Sequence, residues 1–244
     1  MIDVPARELK LIRNVSTHGS PPYFDPGNYA REITFNPGGS AITFTMIGNH
    51  GHWELRTLDL VSGAEQVLFP DRCAHHLYPS WSLDGHLAYY RNGPPQSGLF
   101  IDDQFVGGSP GGESPVAWID SNSFIAFGIG GLQRVDLRSG SIMQMVSGAA
   151  RFYDPAVDPG RSRLAYVRFD GPDVDGEEIW VAGIDGSNPT RVTHGGADFK
   201  PAWSPDGKSV LFVRFGAGLS LYDVASGSLT QVTRKPADAV AWAP

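Results

Sequence analysis

The chain has 244 residues, which suits one large all-β domain or two smaller ones and is enough to bury a core without a disulfide or metal staple. Its formal net charge of −7, with no basic run, excludes a nucleic-acid backbone and a polybasic membrane contact as partners. The single cysteine, Cys73, excludes an intrachain disulfide, and no apolar run approaches the roughly 20 residues of a membrane span.

The first eight residues contain no apolar leader core, so the expected compartment is the cytoplasm. Residues 8–15 predict a strand that ends in Ser16-Thr17-His18-Gly19. An internal repeat then organises the chain. Phe35-Asn36-Pro37-Gly38-Gly39 precedes the strand signal Ala41-Ile42-Thr43-Phe44. Trp81-Ser82-Leu83-Asp84-Gly85 precedes Leu87-Ala88-Tyr89-Tyr90, and Trp118-Ile119-Asp120-Ser121-Asn122 precedes Phe124-Ile125-Ala126-Phe127. Val157-Asp158-Pro159-Gly160 precedes Leu164-Ala165-Tyr166-Val167. The clearest copy is Trp203-Ser204-Pro205-Asp206-Gly207 before Val210-Leu211-Phe212-Val213, and a last one, Ala241-Trp242-Ala243-Pro244, ends the sequence.

The anchors at 35, 81, 118, 157, 203 and 242 are spaced by 46, 37, 39, 46 and 39 residues, the period of a four-stranded propeller blade. Ser-Pro-Asp-Gly is turn chemistry, because Pro presets φ, Asp bonds locally and Gly accepts a positive φ. A four-stranded sheet cannot cover both its faces alone, and radial stacking of blades does so. The Trp-Ser-Pro-Asp-Gly turn resembles the core of the TolB-like propeller repeat. The resemblance implies an all-β propeller, usually six-bladed, filling residues 1–244 as one domain. It implies no single activity, since members include protein-binding adaptors and enzymes. With five full copies and a truncated sixth, the expected ring has six blades, the last reduced and closed by both termini. The alternative is a five-bladed ring.

In such blades the loops from the fourth strand to the next first strand, and from the second to the third, share one face. Six of the seven histidines fall there: His18, His50, His52, His75, His76 and His194, with only His86 on the other face. Two positions before the residue that precedes each anchor lie Glu32, Tyr78, Pro115, Asp154, Lys200 and Ala239, which are expected to ring the channel mouth. His18, His76, Tyr78, Asp154 and Lys200 are the candidates for proton transfer, because an imidazole beside a carboxylate or phenol titrates near neutrality. Tyr29, Arg31, Glu32, Arg151, Tyr153 and Phe199 are the candidate ligand contacts, an aromatic and charged set that suits a small molecule. His50, His52 and His75 are candidate ligands for a divalent metal, although adjacent His75 and His76 point to opposite sides of an extended strand.

The sequence thus predicts a monomeric small-molecule-binding propeller, with proton-transfer chemistry of lyase, isomerase or cyclase type left open. A protein-interaction propeller that docks a partner on the same face is the alternative. No cofactor motif is visible. Gly128-Ile129-Gly130-Gly131 predicts a tight turn rather than a phosphate loop, and the acidic stretch 170–178 reads as a solvated loop.

Overall fold

The computed structural model describes residues 31–48, 51–70, 73–107, 114–171, 176–235, 237 and 239–242. They form five antiparallel sheets of four strands each, every sheet built from four consecutive strands. Blade 1 comprises β1 (Arg31–Phe35), β2 (Ala41–Ile47), β3 (Trp53–Asp59) and β4 (Glu65–Val67). Blade 2 comprises β5 (His75–Trp81), β6 (Leu87–Asn92), β7 (Gly98–Ile101) and β8 (Gln104–Gly107). Blade 3 comprises β9 (Ala117–Asp120), β10 (Ser123–Gly128), β11 (Gly131–Asp136) and β12 (Ile142–Ser147). Blade 4 comprises β13 (Arg151–Val157), β14 (Arg163–Phe169), β15 (Glu177–Gly183) and β16 (Thr190–Arg191). Blade 5 comprises β17 (Asp198–Trp203), β18 (Ser209–Arg214), β19 (Gly218–Asp223) and β20 (Leu229–Thr233).

In four of the five blades the second strand is the most buried, because it is covered on both faces; in blade 2 the third strand, β7, is wholly buried. In β14 and β18 four consecutive residues are buried, Leu164 to Val167 and Val210 to Val213. Such strands read as continuous apolar runs rather than alternating ones. The core is a series of layers between blades. Leu55 of blade 1 packs with Leu87, Tyr89 and Phe100 of blade 2, and Val167 and Ile179 of blade 4 pack with Phe212 of blade 5.

The turns follow the repeat. The Ser204 hydroxyl donates to Asp206 at 2.6 Å, and Ser82 donates to Asp84 at 2.8 Å, closing the first turn of blades 5 and 2. At the turn after the third strand, Ser62, Ser139 and Ser226 donate to Asp59, Asp136 and Asp223. Hydrogen bonds from the backbone N–H groups of the same serines, together with these hydroxyls, hold the three carboxyls below their usual range. Gly128 pairs with Gly131 across a two-residue hairpin, which confirms the tight turn.

The anchor tryptophans tie blades 2, 3 and 5 to the blade before each. The indole N–H of Trp81 donates to Thr43 Oγ1 (2.9 Å), that of Trp118 to the Ser80 carbonyl (3.1 Å) and that of Trp203 to the Ala156 carbonyl (3.0 Å). Trp242 continues the series to the Ala202 carbonyl at 3.1 Å.

The six-blade expectation is corrected here. The described residues make five complete blades, as in the alternative reading, and residues 239–242 carry no strand. The segment instead packs on blade 5, where Ala237, Val240 and Trp242 cover Leu211, Val213 and Leu219. The strand expected over residues 8–15 lies outside the described residues.

Candidate functional site

A central cavity of about 550 Å³ runs the length of the inner strands. Segments of β1, β5, β9, β13 and β17 line it together with residues 239–242, and Trp81, Trp118, Trp203 and Trp242 form much of the wall. At one end stand Glu32, Pro115, Asp154, Lys200 and Ala239; at the other, the turns around Asn36, Leu83, Asp158 and Pro205.

The first end is built by a repeated backbone irregularity. Glu32, Tyr78, Asp154 and Lys200 have φ of 52°, 58°, 47° and 55°. Each sits in a bulge where the inner strand slips against its partner. Left-handed backbone is uncommon for residues other than glycine, and non-glycine residues held there cluster at functional sites. Tyr78, Asp154 and Lys200 also precede a proline, which restricts them further. In blade 3 the corresponding residue is Pro115, whose ring fixes φ near −65°, and β9 starts only after it, at Ala117.

In blades 2, 4 and 5 the backbone N–H of the bulge residue meets a side chain of the preceding blade. The Tyr78 N–H donates to Glu32 Oε2 at 3.4 Å, a long bond. The Asp154 N–H donates to Ser114 Oγ at 2.8 Å, and the Lys200 N–H to Asp154 Oδ2 at 3.2 Å. The Lys200 ammonium adds an ion pair to Asp154 Oδ1 at 3.0 Å and lies 5.6 Å from the centre of the Tyr78 ring. Lys200 of blade 5 therefore joins side chains of blades 4 and 2 over the mouth.

The candidate residues divide into three groups. Glu32, Asp154 and Lys200 line the cavity, and Tyr78 adjoins them through Lys200 and Glu32. Other candidates are placed elsewhere. His76 is buried in the layer between blades 1 and 2, stacked on Phe69 at 5.1 Å and near Tyr89 at 5.7 Å. The His76 expectation is thereby corrected: β5 alternates its side chains, and the one that enters the interblade layer cannot face the channel. Tyr153 and Phe199 pack between blades 4 and 5, and the Tyr153 hydroxyl donates to Glu177. Burial, then that bond to a carboxylate, pushes the Tyr153 phenol well above its usual range. Arg151 is exposed at the start of β13, and Arg31 opens β1. His18, Tyr29 and His50 lie outside the described residues.

His52 and His75 do meet, with ring centroids 4.9 Å apart and edge-to-face. His75 Nδ1 accepts the Trp53 N–H at 3.1 Å. Burial, then the neighbouring His52, holds the His75 imidazole below its usual value. Two imidazoles do not make a structural metal centre, and among the described residues no three His, Cys, Asp or Glu side chains gather to hold an ion. The third expected ligand, His50, lies outside the described residues.

The turns at the other end were not expected to matter and are well built. Asp158 is buried, bonded to the backbone of Ser162 and Arg163 and to the Arg163 guanidinium (3.0 Å). Arg163 in turn reaches the Gly207 carbonyl at 2.6 Å and lies 4.5 Å over the Trp203 ring. The sequence signal was present in the repeated Asp-Pro-Gly and Pro-Asp-Gly turns.

No family model matches the chain. Over 61 residues it is 36% identical to the Tol-Pal system protein TolB of Rhizorhabdus wittichii, a match that spans 25% of this chain and only 14% of that protein. A chain solved as TolB from Agrobacterium tumefaciens superposes with a TM-score of 0.67 at 19% identity, over 84% of this chain and 80% of that one. TolB from Acinetobacter baumannii gives 0.66 at 16% identity, over 88% of this chain and 57% of that one. An oligogalacturonate lyase solved in complex with manganese gives 0.55 at 20% identity, over 85% and 67%. At these identities the likeness concerns the fold, a β-propeller like that of the TolB structures.

Proposed function

We propose that this propeller binds a small polar ligand at the mouth of its central channel. One observation carries the reading. Four equivalent bulges hold non-glycine residues in left-handed backbone, and three of them, Glu32, Asp154 and Lys200, contribute to the wall of one cavity. Such strain is costly, on the order of 1–3 kcal/mol for each residue, and persists where surrounding structure enforces it. Aromatic walls with a few ionisable groups at one end suit a ligand with a flat or apolar body and a polar head. Binding is put ahead of proton transfer because, of the two imidazoles expected to carry it, His76 lies in the interblade core and His18 lies outside the described residues.

The experiment is a ligand panel read by tryptophan emission and thermal shift, since four tryptophans line the cavity. A ligand of this site changes the emission saturably, and both Glu32→Gln and Lys200→Met weaken it. A ligand whose binding is indifferent to both substitutions refutes the reading. The likeness to TolB structures favours a second reading, in which the same mouth receives a segment of a partner protein. Under it the two variants weaken capture of that protein, and no small molecule competes.

A further inference from the structure

The turn after the first strand of each blade stands at the other end of the channel, and one blade departs from its pattern. In blades 1, 2, 4 and 5 the turn closes with the same backbone bond. The N–H of Gly39 donates to the Asn36 carbonyl, that of Gly85 to Ser82, that of Arg161 to Asp158 and that of Gly207 to Ser204. The four donors are therefore equivalent positions, with φ of 65°, 96°, 55° and 68°. Three blades place glycine there, which accepts left-handed backbone without a steric penalty. Blade 4 places an arginine. Among the described residues outside the bulges, the other non-glycine residues with positive φ are Asp102, Asp103 and Asn188, whose short polar side chains tolerate it. Arg161 is exposed and lines the cavity with Asp158 and Pro159. Glycine would serve this turn better, and residues kept against a local preference cluster at functional sites.

The carboxylates of this end are already engaged. Asp158, in the same turn, is buried and accepts the Ser162 and Arg163 N–H groups (2.7 and 2.8 Å) and the Arg163 guanidinium (3.0 Å). Asp120, on the cavity wall in blade 3, accepts the Asn122 N–H at 2.8 Å and the Ser123 hydroxyl at 2.9 Å. Asp206, in the turn of blade 5, accepts the Ser204 hydroxyl at 2.6 Å and the Lys208 N–H at 3.0 Å. Each also feels a cation of its own blade, namely Arg163, Arg134 and Lys208. Of the described residues that line the cavity only Arg161 and Lys200 are cationic, and Lys200 stands at the bulge end, paired with Asp154.

We infer that Arg161 is the recognition residue of an anion site at the turn end of the channel. The site takes the carboxylate or phosphate head of an organic anion whose flat body lies against the tryptophan wall. A guanidinium presents two parallel N–H groups to such a head, and both head groups offer the paired oxygens that match it. The site does not depend on the reading of the bulge mouth.

The test titrates phenyl phosphate, benzoate, benzyl alcohol and benzylamine into the full chain, read by calorimetry and tryptophan emission. At least one anion binds saturably, and the alcohol and amine bind about tenfold more weakly or worse, as loss of a charge-assisted pair requires. The tighter anion identifies the head group. Arg161→Gly restores the pattern of the other blades, so its unfolding temperature equals or exceeds that of the wild type while anion affinity falls about tenfold or more. Arg161→Lys keeps the charge but loses the fork, and its affinity is intermediate. Lys200→Met leaves anion affinity unchanged, which separates this site from the bulge mouth. The inference is overturned if neither anion binds, if the alcohol binds as well as the anions, or if Arg161→Gly keeps full affinity. A clear fall in the unfolding temperature of Arg161→Gly overturns it as well, because the arginine would then serve the fold.

Discussion

Asp154→Ala is the most informative single perturbation of the channel mouth. The Asp154 side chain is 5% exposed, accepts the Lys200 N–H at 3.2 Å and pairs with the ammonium at 3.0 Å. Truncation leaves a bulge N–H without its cap, which costs about 1 to 3 kcal/mol where the group cannot reach water. The ion pair adds less, because the Lys200 side chain is 19% exposed and solvent screens it, so about 1 kcal/mol is appropriate. Alanine also tolerates a φ of 47° less well than aspartate. The expected total is about 2 to 4 kcal/mol, or a fall in unfolding temperature of roughly 5–12 °C for a chain of this size. Asp154→Asn keeps an oxygen for the cap and loses only the ion pair, so it should cost about 1 kcal/mol. Urea denaturation of both variants is the assay. Equal losses for alanine and asparagine, or a loss below about 0.5 kcal/mol for alanine, would refute the cap as the organising contact of the mouth.

Further outcomes follow from other parts of the ring. Asp102 bonds His86 Nδ1 at 2.5 Å and, with Asp84 at 3.7 Å from Nε2, raises the imidazole above its ordinary value of 6.5. A raised folded-state value means stability that is fully present below pH 6.5 and lost as pH rises through the folded value. Denaturation at pH 5.5 and 8.5 should show that difference in the wild type and not in His86→Gln. A Cβ on Gly131 would lie 1.9 Å from the Val146 carbonyl at a φ of 144°, so Gly131→Ala should cost about 2 kcal/mol or more and lower the urea midpoint. Trp203→Phe removes the bond to Ala156 and weakens the stacking of Arg163, for a loss of about 1 to 2 kcal/mol by the same assay.

The blades were legible because their signals are local. Trp-Ser-x-Asp-Gly and Asp-x-x-Ser-Gly each encode a turn through bonds that span two or three residues, and the runs between them leave few choices but strands. The channel position was legible by phase, since counting back from each anchor finds Glu32, Tyr78, Asp154 and Lys200 together. What the phase could not supply is side-chain direction after a bulge. Tyr153 and Asp154 are neighbours, yet one enters the interblade layer and the other the channel, and the left-handed φ decides which. Histidine counting on one face failed for His76 for a related reason. Loop membership fixes the face of the ring, and burial against Phe69 and Tyr89 then removes the imidazole from that face.

The last repeat shows how a partial copy still serves the site. Trp242 lacks a sheet, yet it keeps the interblade bond of the other anchors and contributes to the channel wall. Among the described residues it covers blade 5 and forms part of the cavity wall. Trp242→Ala should cost about 2 to 3 kcal/mol, less than a fully buried tryptophan, because the residue is only half-buried. The loss should fall on blade 5. Hydrogen exchange would speed up in β18 and β19, whose Leu211, Val213 and Leu219 the segment covers, while β6 and β10 keep their protection. Uniform acceleration across all blades would mean instead that Trp242 secures the ring as a whole. Ligand affinity separates the two roles again, since a wall residue weakens binding in protein that remains folded, whereas a purely stabilising residue changes only the folded fraction.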